Sequence, residues 1–337
     1  TGGHVIGSAA VPVKEIVRAF QVLENAQVVV AVIPAMSHEQ LNRVRLRHGA
    51  SLAQPPAGRK TRSRESTIHG IQHPSARASR AAELRLVVYN IRYATGTGPA
   101  FHLPLPGAGY LRTNRRVLTG ITEFLKAEHP DVVGLIEVDT GSIRSSMVNQ
   151  AEYIGQRLGH FSTYESKYGA HSLNQFVPIV RKQANAFLSA PHVTCERFHY
   201  FDTGIKRLII ELELDQVCVF LVHLSLKYRH RQSQLRTLHD LIIKSNKPVI
   251  VAGDFNTFWG NHEIYLFMRA AGLRSANTLE LPSFPARIPR VELDFILVSA
   301  GIEVTDFRVP DVRFSDHRPL ICDFNIDSGA LRRDSAA

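Results

Sequence analysis

The feature that most restricts the fold of this 337-residue chain is a series of short apolar runs that end in polar side chains. The run Val249–Ala252 leads directly into Gly253, Asp254, Phe255 and Asn256, and the run 293–298 carries Asp294. Apolar runs of this length are typical of buried β-strands. Because desolvating an unpaired carboxylate costs several kcal/mol, acids at buried strand ends need partners. The pattern therefore indicates one shared polar site at the ends of several strands.

The hydrophobic pattern from residue 83 onward predicts many strands and few helices. Helical periodicity covers 112–128, 142–158 and 231–244. Strand-like runs cover 84–89, 131–137, 161–165, 185–189, 193–200, 206–214, 216–223, 247–252, 293–298, 302–308 and 319–325. Strands in such excess argue against a doubly wound parallel sheet and favour two packed sheets flanked by helices.

Composition divides the chain into four parts. Residues 1–50 form a short segment of unknown role, and residues 51–81 are rich in Pro, Ser and Arg with little periodicity, which predicts a disordered linker. The strand-rich part, 82–327, is the predicted main domain, which holds the polar strand ends, and 328–337 is a tail.

The net charge of +10 is concentrated near the start of the chain. Residues 1–80 hold 11 Lys and Arg against 4 Asp and Glu, so the remainder is nearly balanced. The basic stretch 59–80 is either a nucleic-acid-binding arm or a solvated linker, and the sequence leaves both open.

Two further features bear on location. The longest apolar run near the start, 28–34, is far shorter than the ~20 residues that a membrane span needs, so no transmembrane segment is expected. The three cysteines, Cys195, Cys218 and Cys322, are widely spaced and form no disulfide or zinc pattern. They fit a reducing compartment, and we expect a cytoplasmic location.

Six motifs in order carry a resemblance to a known family. They are Tyr89-Asn90, Gly134-Leu135-Ile136-Glu137, Val222-His223-Leu224, Gly253-Asp254-Phe255-Asn256, Leu293-Asp294-Phe295-Ile296 and Ser315-Asp316-His317-Arg318-Pro319-Leu320. Together they resemble the endonuclease/exonuclease/phosphatase superfamily, the deoxyribonuclease-I-like proteins. The resemblance implies a four-layer α/β sandwich, with two mixed β-sheets packed face to face and helices outside.

The resemblance also implies the metal site. Asn90, Glu137 and Asp316 would hold Mg²⁺, with Mn²⁺ as an alternative. Mg²⁺ takes few carboxylates and keeps several waters, so this sparse ligand set suits it.

The remaining motif residues take catalytic roles by the same resemblance. Asp254 would orient or deprotonate the attacking water, and Asn256 would hold a phosphate oxygen. His317 would act as an acid/base or transition-state contact, held in its tautomer by Asp294. His223 would contact the phosphate or assist the leaving oxygen. The implied activity is metal-dependent hydrolysis of a phosphodiester or phosphomonoester by in-line attack of an activated water.

Several alternatives stay open at this point. A nuclease acting on DNA is favoured by the basic stretch, and a lipid or small-molecule phosphodiesterase by the nearly neutral catalytic part. A catalytically silent binding protein on the same fold is the alternative of another class. The chain also departs from the family, since the stretch Asn185–Ala190 ends in Ala190 where the family has an arginine. Trp259 is interpreted as a packing residue, and Arg231 as a solvated residue at a helix start. The natural substrate, endo- or exo-cleavage, and oligomeric state are not determined by the sequence.

Overall fold

The computed structural model describes residues 83–97, 113–166, 182–204 and 208–327. The predicted segments 1–50 and 51–81, and the tail 328–337, lie outside these residues, as does the basic stretch 59–80.

Twelve strands and four α-helices form the described part of the chain. The strands are β1 (Leu84–Asn90), β2 (Val132–Asp139), β3 (Phe161–Ser166), β4 (Gln183–Ser189), β5 (Val193–Tyr200), β6 (Leu208–Leu214), β7 (Cys218–His223), β8 (Val249–Asp254), β9 (Leu273–Ser275), β10 (Asp294–Ser299), β11 (Ile302–Arg308) and β12 (Leu320–Ile326). The helices are α1 (Arg115–Glu128), α2 (Gln150–Leu158), α3 (Tyr228–Ile242) and α4 (His262–Ala270).

The strands form two six-stranded sheets. The first has the order β11-β12-β1-β2-β4-β3 and the second the order β5-β6-β7-β8-β10-β9. Each sheet contains one parallel pair near its middle, β1 with β2 and β7 with β8, and the other pairs are antiparallel. Both sheets are therefore mixed, as predicted.

Side chains that alternate along each strand point to opposite faces of the sheet, and this alternation builds the layers. Leu86 and Val88 of β1 pack between the sheets together with Ile210 of β6, whereas Val87 points to the layer that includes α1 and α2. A third apolar cluster joins the second sheet to α3 and α4. Since each buried Val, Leu or Ile contributes roughly 1.5–3 kcal/mol, these three clusters hold the fold together. The four-layer α/β sandwich is confirmed.

Some element boundaries differ from the prediction. The predicted helix 142–158 is interrupted, because Ser146 and Met147 adopt left-handed backbone angles with φ of 54° and 63°. Only a short 3₁₀ turn, Ile143–Ser145, precedes it, and α2 begins at Gln150. The sequence reading also missed α4 and the three-residue strand β9.

Two other expectations can be checked in the described residues. All three cysteines are free thiols, as the spacing predicted. Among the described residues, no helix is both long and apolar enough to cross a membrane.

Candidate active site

Strand pairing places the predicted residues at one edge of the sandwich. Asn90 is the last residue of β1, and His223 and Asp254 are the last residues of β7 and β8. The parallel register pairs His223 with Asp254, and the antiparallel register pairs Asp294, the first residue of β10, with Asp254. The sequence reading therefore positioned these four side chains correctly, at adjacent strand ends.

Gly253 is required where β8 meets β7. Its φ is 145°, and a Cβ built on it would lie 1.9 Å from the carbonyl oxygen of Val222. Any other residue would push the two parallel strands apart beside His223 and Asp254. The glycine of this motif is thus a steric requirement of the site, not only a turn residue.

Asp254 is the centre of the site and links the two sheets. Its Oδ2 accepts a hydrogen bond from Asn90 Nδ2 at 3.1 Å and lies 3.3 Å from His223 Nε2. Its Oδ1 accepts from the backbone N–H of Asn256 at 3.0 Å. Asp254, Asn90 and His223 are all at least 97% buried. Such a carboxylate is fixed in position by donors from three separate strands and loops.

The backbone N–H of Asn256 donates a hydrogen bond to Asp254, and its side chain donates one to the adjacent loop. Asn256 Nδ2 donates to the carbonyl of Leu224 at 2.8 Å, and the residue has a left-handed φ of 54°. This contact ties the loop after β8 to the loop after β7. The predicted role of Asn256 as a phosphate contact stays a prediction.

His317 and Asp294 form a buried pair. His317 Nδ1 lies 2.7 Å from Asp294 Oδ2, and His317 Nε2 lies 3.8 Å from Asp254 Oδ2. Burial disfavours the imidazolium, but the carboxylates of Asp294 and Asp254 outweigh it and raise the pKa of His317 to about 10. Burial also raises the pKa of Asp294. We place the shared proton on His317, because its imidazole faces both carboxylates.

Asp316, the third acid of the last motif, lies beside a cation. Its Oδ2 is 3.7 Å from Arg92 Nε, and its Oδ1 accepts from Ser315 Oγ at 3.1 Å. Arg92 follows Asn90 by two residues and its backbone N–H donates to Asn90 Oδ1 at 3.2 Å. Arg92 therefore brings positive charge to the edge where the predicted metal ligands Asn90 and Asp316 lie.

Glu137 lies on a distorted part of β2. Its φ is 58°, and the pairing of β2 with β4 shifts register between Leu135 and Val138. A left-handed conformation at a non-glycine residue costs roughly 1–3 kcal/mol and persists only where neighbours enforce it. The neighbour here is Asn185, whose Oδ1 accepts from the Glu137 N–H at 3.3 Å. The bulge redirects the Glu137 side chain relative to a regular strand.

The donor set suits a hard divalent cation. Among the described residues, Asp254, Asp294 and His317 bring one ligand atom each to within 4.8 Å of one another. A protonated imidazole has no lone pair for a metal, so only the carboxylate side of this group can bind one. Asp294 Oδ1 is buried without a hydrogen-bond partner in the described part of the chain, whereas Asp294 Oδ2 is taken by His317 and Ser283. Glu137 and Asp316 are not in this group, and their role as ligands stays a prediction.

Three supporting residues were missed by the sequence reading: Ser283, Asn185 and Arg92. Ser283 is fully buried, and its hydroxyl donates to Asp294 Oδ2 at 2.6 Å, the same oxygen that His317 uses. Ser283 and Arg92 belong to no apolar period or spaced motif, and Asn185 begins the family stretch 185–190 but was given no role there. Their only signal is proximity in space, which a single sequence does not give.

Arg231 corrects an expectation, since it is buried and not a solvated residue. Its Nη1 donates to the carbonyls of Ser225 and Leu226, at 2.8 Å each, and its guanidinium pairs with Glu263 of α4. Glu263 also accepts from the backbone N–H of Trp259 at 3.0 Å. This buried ion pair thereby fixes the loop after β7 against the loop after β8. Breaking such a pair costs roughly 3–5 kcal/mol, because it leaves a buried charge.

A second buried ion pair supports the opposite sheet. Asp139, two residues after Glu137, accepts hydrogen bonds from Arg144 at 2.8 and 3.0 Å and from the Ser142 hydroxyl at 2.6 Å. The Arg144 guanidinium lies over the ring of Tyr93, 3.9 Å from its centroid. The loops that follow Asn90 and Glu137 are therefore held together.

Comparison with known proteins agrees with this geometry. The Endonuclease/Exonuclease/phosphatase family matches residues 87–317, which is more than half of the chain. The chain belongs to this family. Its members' shared name covers both nucleases and phosphatases, so membership indicates phosphoester chemistry in general terms.

The individual relatives of this family member are distant. The Escherichia coli K12 protein named "Uncharacterized protein YbhP" is 31% identical over 134 residues, covering 36% of this chain and 51% of the relative. The chain thus spans about half the length of that curated relative.

Two solved structures have the same fold. The endonuclease/exonuclease/phosphatase from Beutenbergia cavernae has a TM-score of 0.56 and 18% identity, with 72% of each chain covered. D. rerio TDP2 complexed with a single-strand DNA product has a TM-score of 0.52 and 16% identity, covering 72% of this chain and 99% of that one. At such identities the likeness shows the fold alone.

Proposed function

We propose that this family member is a Mg²⁺-dependent phosphoesterase that hydrolyses a phosphodiester or phosphomonoester by in-line attack of an activated water. The observation that supports this best is the carboxylate of Asp254, buried between Asn90 and His223 and facing His317. A carboxylate fixed in this way can orient a water and accept its proton.

The charge of each site residue sets its proposed role. Asp254, as the general base, is held by Asn90, so its lone pair points in one fixed direction. His317 carries a proton because its pKa is raised to about 10, and it would stabilise the negative charge that grows on the phosphoryl oxygens. Asp294 and Ser283 keep the imidazole in place. His223 Nε2 lies 3.3 Å from Asp254 Oδ2, and from there it would contact the phosphate or the leaving oxygen.

The cation would be held by Glu137, Asn90 and Asp316, with Mn²⁺ as the alternative to Mg²⁺. When bound, it would supply charge neutralisation to the phosphate. The Arg92 guanidinium, 3.7 Å from Asp316, contributes to the same balance. We propose Asn256 as the holder of a phosphate oxygen on the opposite side.

Two alternatives are kept. A nuclease acting on DNA is favoured by the basic stretch 59–80, and the fold of TDP2 with its DNA product is compatible with it. A catalytically silent binding protein would need no ordered base, whereas here Asp254, Asp294 and His317 are all present and buried. A cytoplasmic location is proposed on the three free cysteines.

The test is hydrolysis of a generic chromogenic phosphodiester and phosphomonoester, with Mg²⁺, with Mn²⁺ and with a chelator. Asp254→Asn keeps the size of the side chain and removes the base, so turnover should fall by at least about 10²-fold. Asp215→Asn is the matched control, because Asp215 is an exposed acid that precedes β7, whereas His223 lies at the far end of that strand. Metal-independent hydrolysis, or full activity of Asp254→Asn, would refute the proposal. A panel of DNA, phospholipids and sugar phosphates would then identify the substrate class.

A further inference from the structure

Three loops leave the sandwich at the edge where the candidate site lies. The loops after β7 and β8 leave the ends of two parallel strands, and the loop before β10 arrives at the same edge because β10 is antiparallel to β8. With the helix starts that continue them, they comprise residues 225–230, 257–262 and 284–291, and we call them the rim loops. Residues 228–230 are the first residues of α3, and His262 is the first residue of α4.

Each rim loop buries one apolar side chain in a shared cluster. Leu226, Phe258 and Phe284 pack together with Leu293, and the rings of Phe258 and Phe284 lie 5.9 Å apart, edge to face. Phe284 also contacts the site itself, since its ring centroid is 4.9 Å from that of His317. The rim loops are therefore held in one body that adjoins the catalytic imidazole.

Each rim loop also exposes one large apolar side chain beyond that cluster. Tyr228 is 53% exposed, Trp259 47% and Ile288 59%. The expectation that Trp259 is a packing residue was therefore wrong. Single exposed apolar side chains also occur elsewhere in the described chain, but these three are carried by segments that share one buried cluster beside the candidate site. Exposed apolar side chains that gather around a site mark interaction surfaces.

The charge of the rim loops is of one sign. They carry four exposed basic residues, Lys227, Arg229, Arg287 and Arg290, and no Asp or Glu. None of the four forms an ion pair with any residue that the structure describes. A surface of unpaired cations between exposed apolar side chains fits a partner that is both anionic and apolar.

We propose that the rim loops dock the candidate site onto an anionic phospholipid bilayer. Tyr and Trp are the side chains that favour the membrane–water interface, and Lys and Arg bind the anionic headgroups. A nucleic acid would also bind cations and stack on aromatic rings, but Ile288 has no stacking face and lies between Arg287 and Pro289 at the most exposed part of its loop. That aliphatic side chain therefore favours the bilayer over a nucleic acid.

The proposal sets the substrate class as a phosphate ester carried by a lipid. That consequence rests on the proposed phosphoesterase function, whereas the binding of the bilayer does not. The two are separated by measuring binding in the presence of a chelator, where no metal-dependent turnover takes place.

The experiment is co-sedimentation of the full chain with phosphatidylcholine vesicles, with and without phosphatidylglycerol. Wild type should bind the anionic vesicles, and less so as salt is raised, because surface charges are screened. The double variant Trp259→Ser with Ile288→Ser should lower the partition coefficient at least about tenfold, since each apolar side chain withdrawn from the interface contributes a comparable factor. Arg287→Gln with Arg290→Gln should lower binding to the anionic vesicles only.

The matched control is Ile243→Ser, an equally exposed residue at 61%. It follows the C-terminal end of α3, about 22 Å along the helix from Tyr228, and its variant should bind as wild type does. Thermal unfolding of every variant excludes loss of folding as the cause. Equal binding of wild type and the Trp259/Ile288 variant would overturn the proposal. So would binding of a labelled oligonucleotide that needs these two side chains while vesicles are not bound.

Discussion

Glu292 gives the sharpest prediction of stability, because it is a buried acid that forms no ion pair with any residue in the described ranges. Its Oε1 accepts from Asn277 Nδ2 and its Oε2 from Asn261 Nδ2, at 2.7 Å each, and its carbonyl accepts from Thr257 Oγ1. Burial raises the pKa of Glu292 from 4.5 to about 7, against the two amide hydrogen bonds, which lower it. Glu292 therefore joins three segments near the site and is about half protonated at pH 7.

The perturbation is Glu292→Gln, which keeps the shape and cannot ionise. Since the folded pKa lies above the unfolded one, the stabilisation from the bound proton is complete below pH 4.5 and is lost as the pH rises through about 7. The difference between a pKa of 4.5 and one of about 7 corresponds to about 3.4 kcal/mol, and the part of the carboxyl group that solvent screens reduces this to about 2–3 kcal/mol. The wild type should therefore lose about 2–3 kcal/mol of unfolding free energy relative to the variant between pH 4.5 and pH 8.

The assay is urea unfolding of both proteins at intervals across this pH range, with the slope m checked for constancy. Glu123→Gln, an exposed glutamate on α1, is the control and should follow the wild-type curve. Parallel curves for wild type and Glu292→Gln would show that Glu292 titrates normally in the folded protein. The reasoning from its burial would then be wrong.

Three further predictions concern the site. Glu137→Gln removes the charge expected to bind Mg²⁺, so calorimetry should show a large loss of metal affinity with little change in Tm; unchanged affinity would remove Glu137 from the ligand set. His317→Ala should lower the turnover of a phosphodiester by at least about 10²-fold, and equal turnover would make His317 a structural residue. Asn185→Ala removes the side-chain oxygen that accepts from the Glu137 N–H. It should weaken Mg²⁺ binding about fivefold, which is the factor that corresponds to about 1 kcal/mol. Asn185→Asp keeps an accepting oxygen and should show near-normal binding by calorimetry.

The sequence predicted the architecture well, because apolar period and strand length are local properties. The runs that end at Asn90, His223 and Asp254 could be recognised without any neighbour, and the parallel and antiparallel pairing then brought those ends together. The helix predicted over 142–158 failed at Ser146 and Met147, whose left-handed backbone is imposed by the loop around Asp139 and not by their own propensity.

Other parts of the site could not be predicted because they depend on contacts between distant segments. Ser283 and Asp294 are 11 residues apart and Glu137 and Asn185 are 48 apart, and nothing in the sequence pairs them. Arg231 had the pattern of a solvated helix start, yet its partner Glu263 lies on a helix that the sequence reading missed. A buried ion pair is visible only when both partners have been placed.

The hydrogen bond between Asn90 and Asp254 joins residues from different sheets, and the sheets themselves meet closely, since a Cβ on Gly134 would lie 2.8 Å from Leu221. No half of this molecule can therefore contain the complete site. During refolding, recovered turnover would report the moment at which the two sheets dock, not the formation of either one. A methyl group at Gly134 would meet only the end of the Leu221 side chain, which can turn aside, so Gly134→Ala should leave that docking complete and the site assembled.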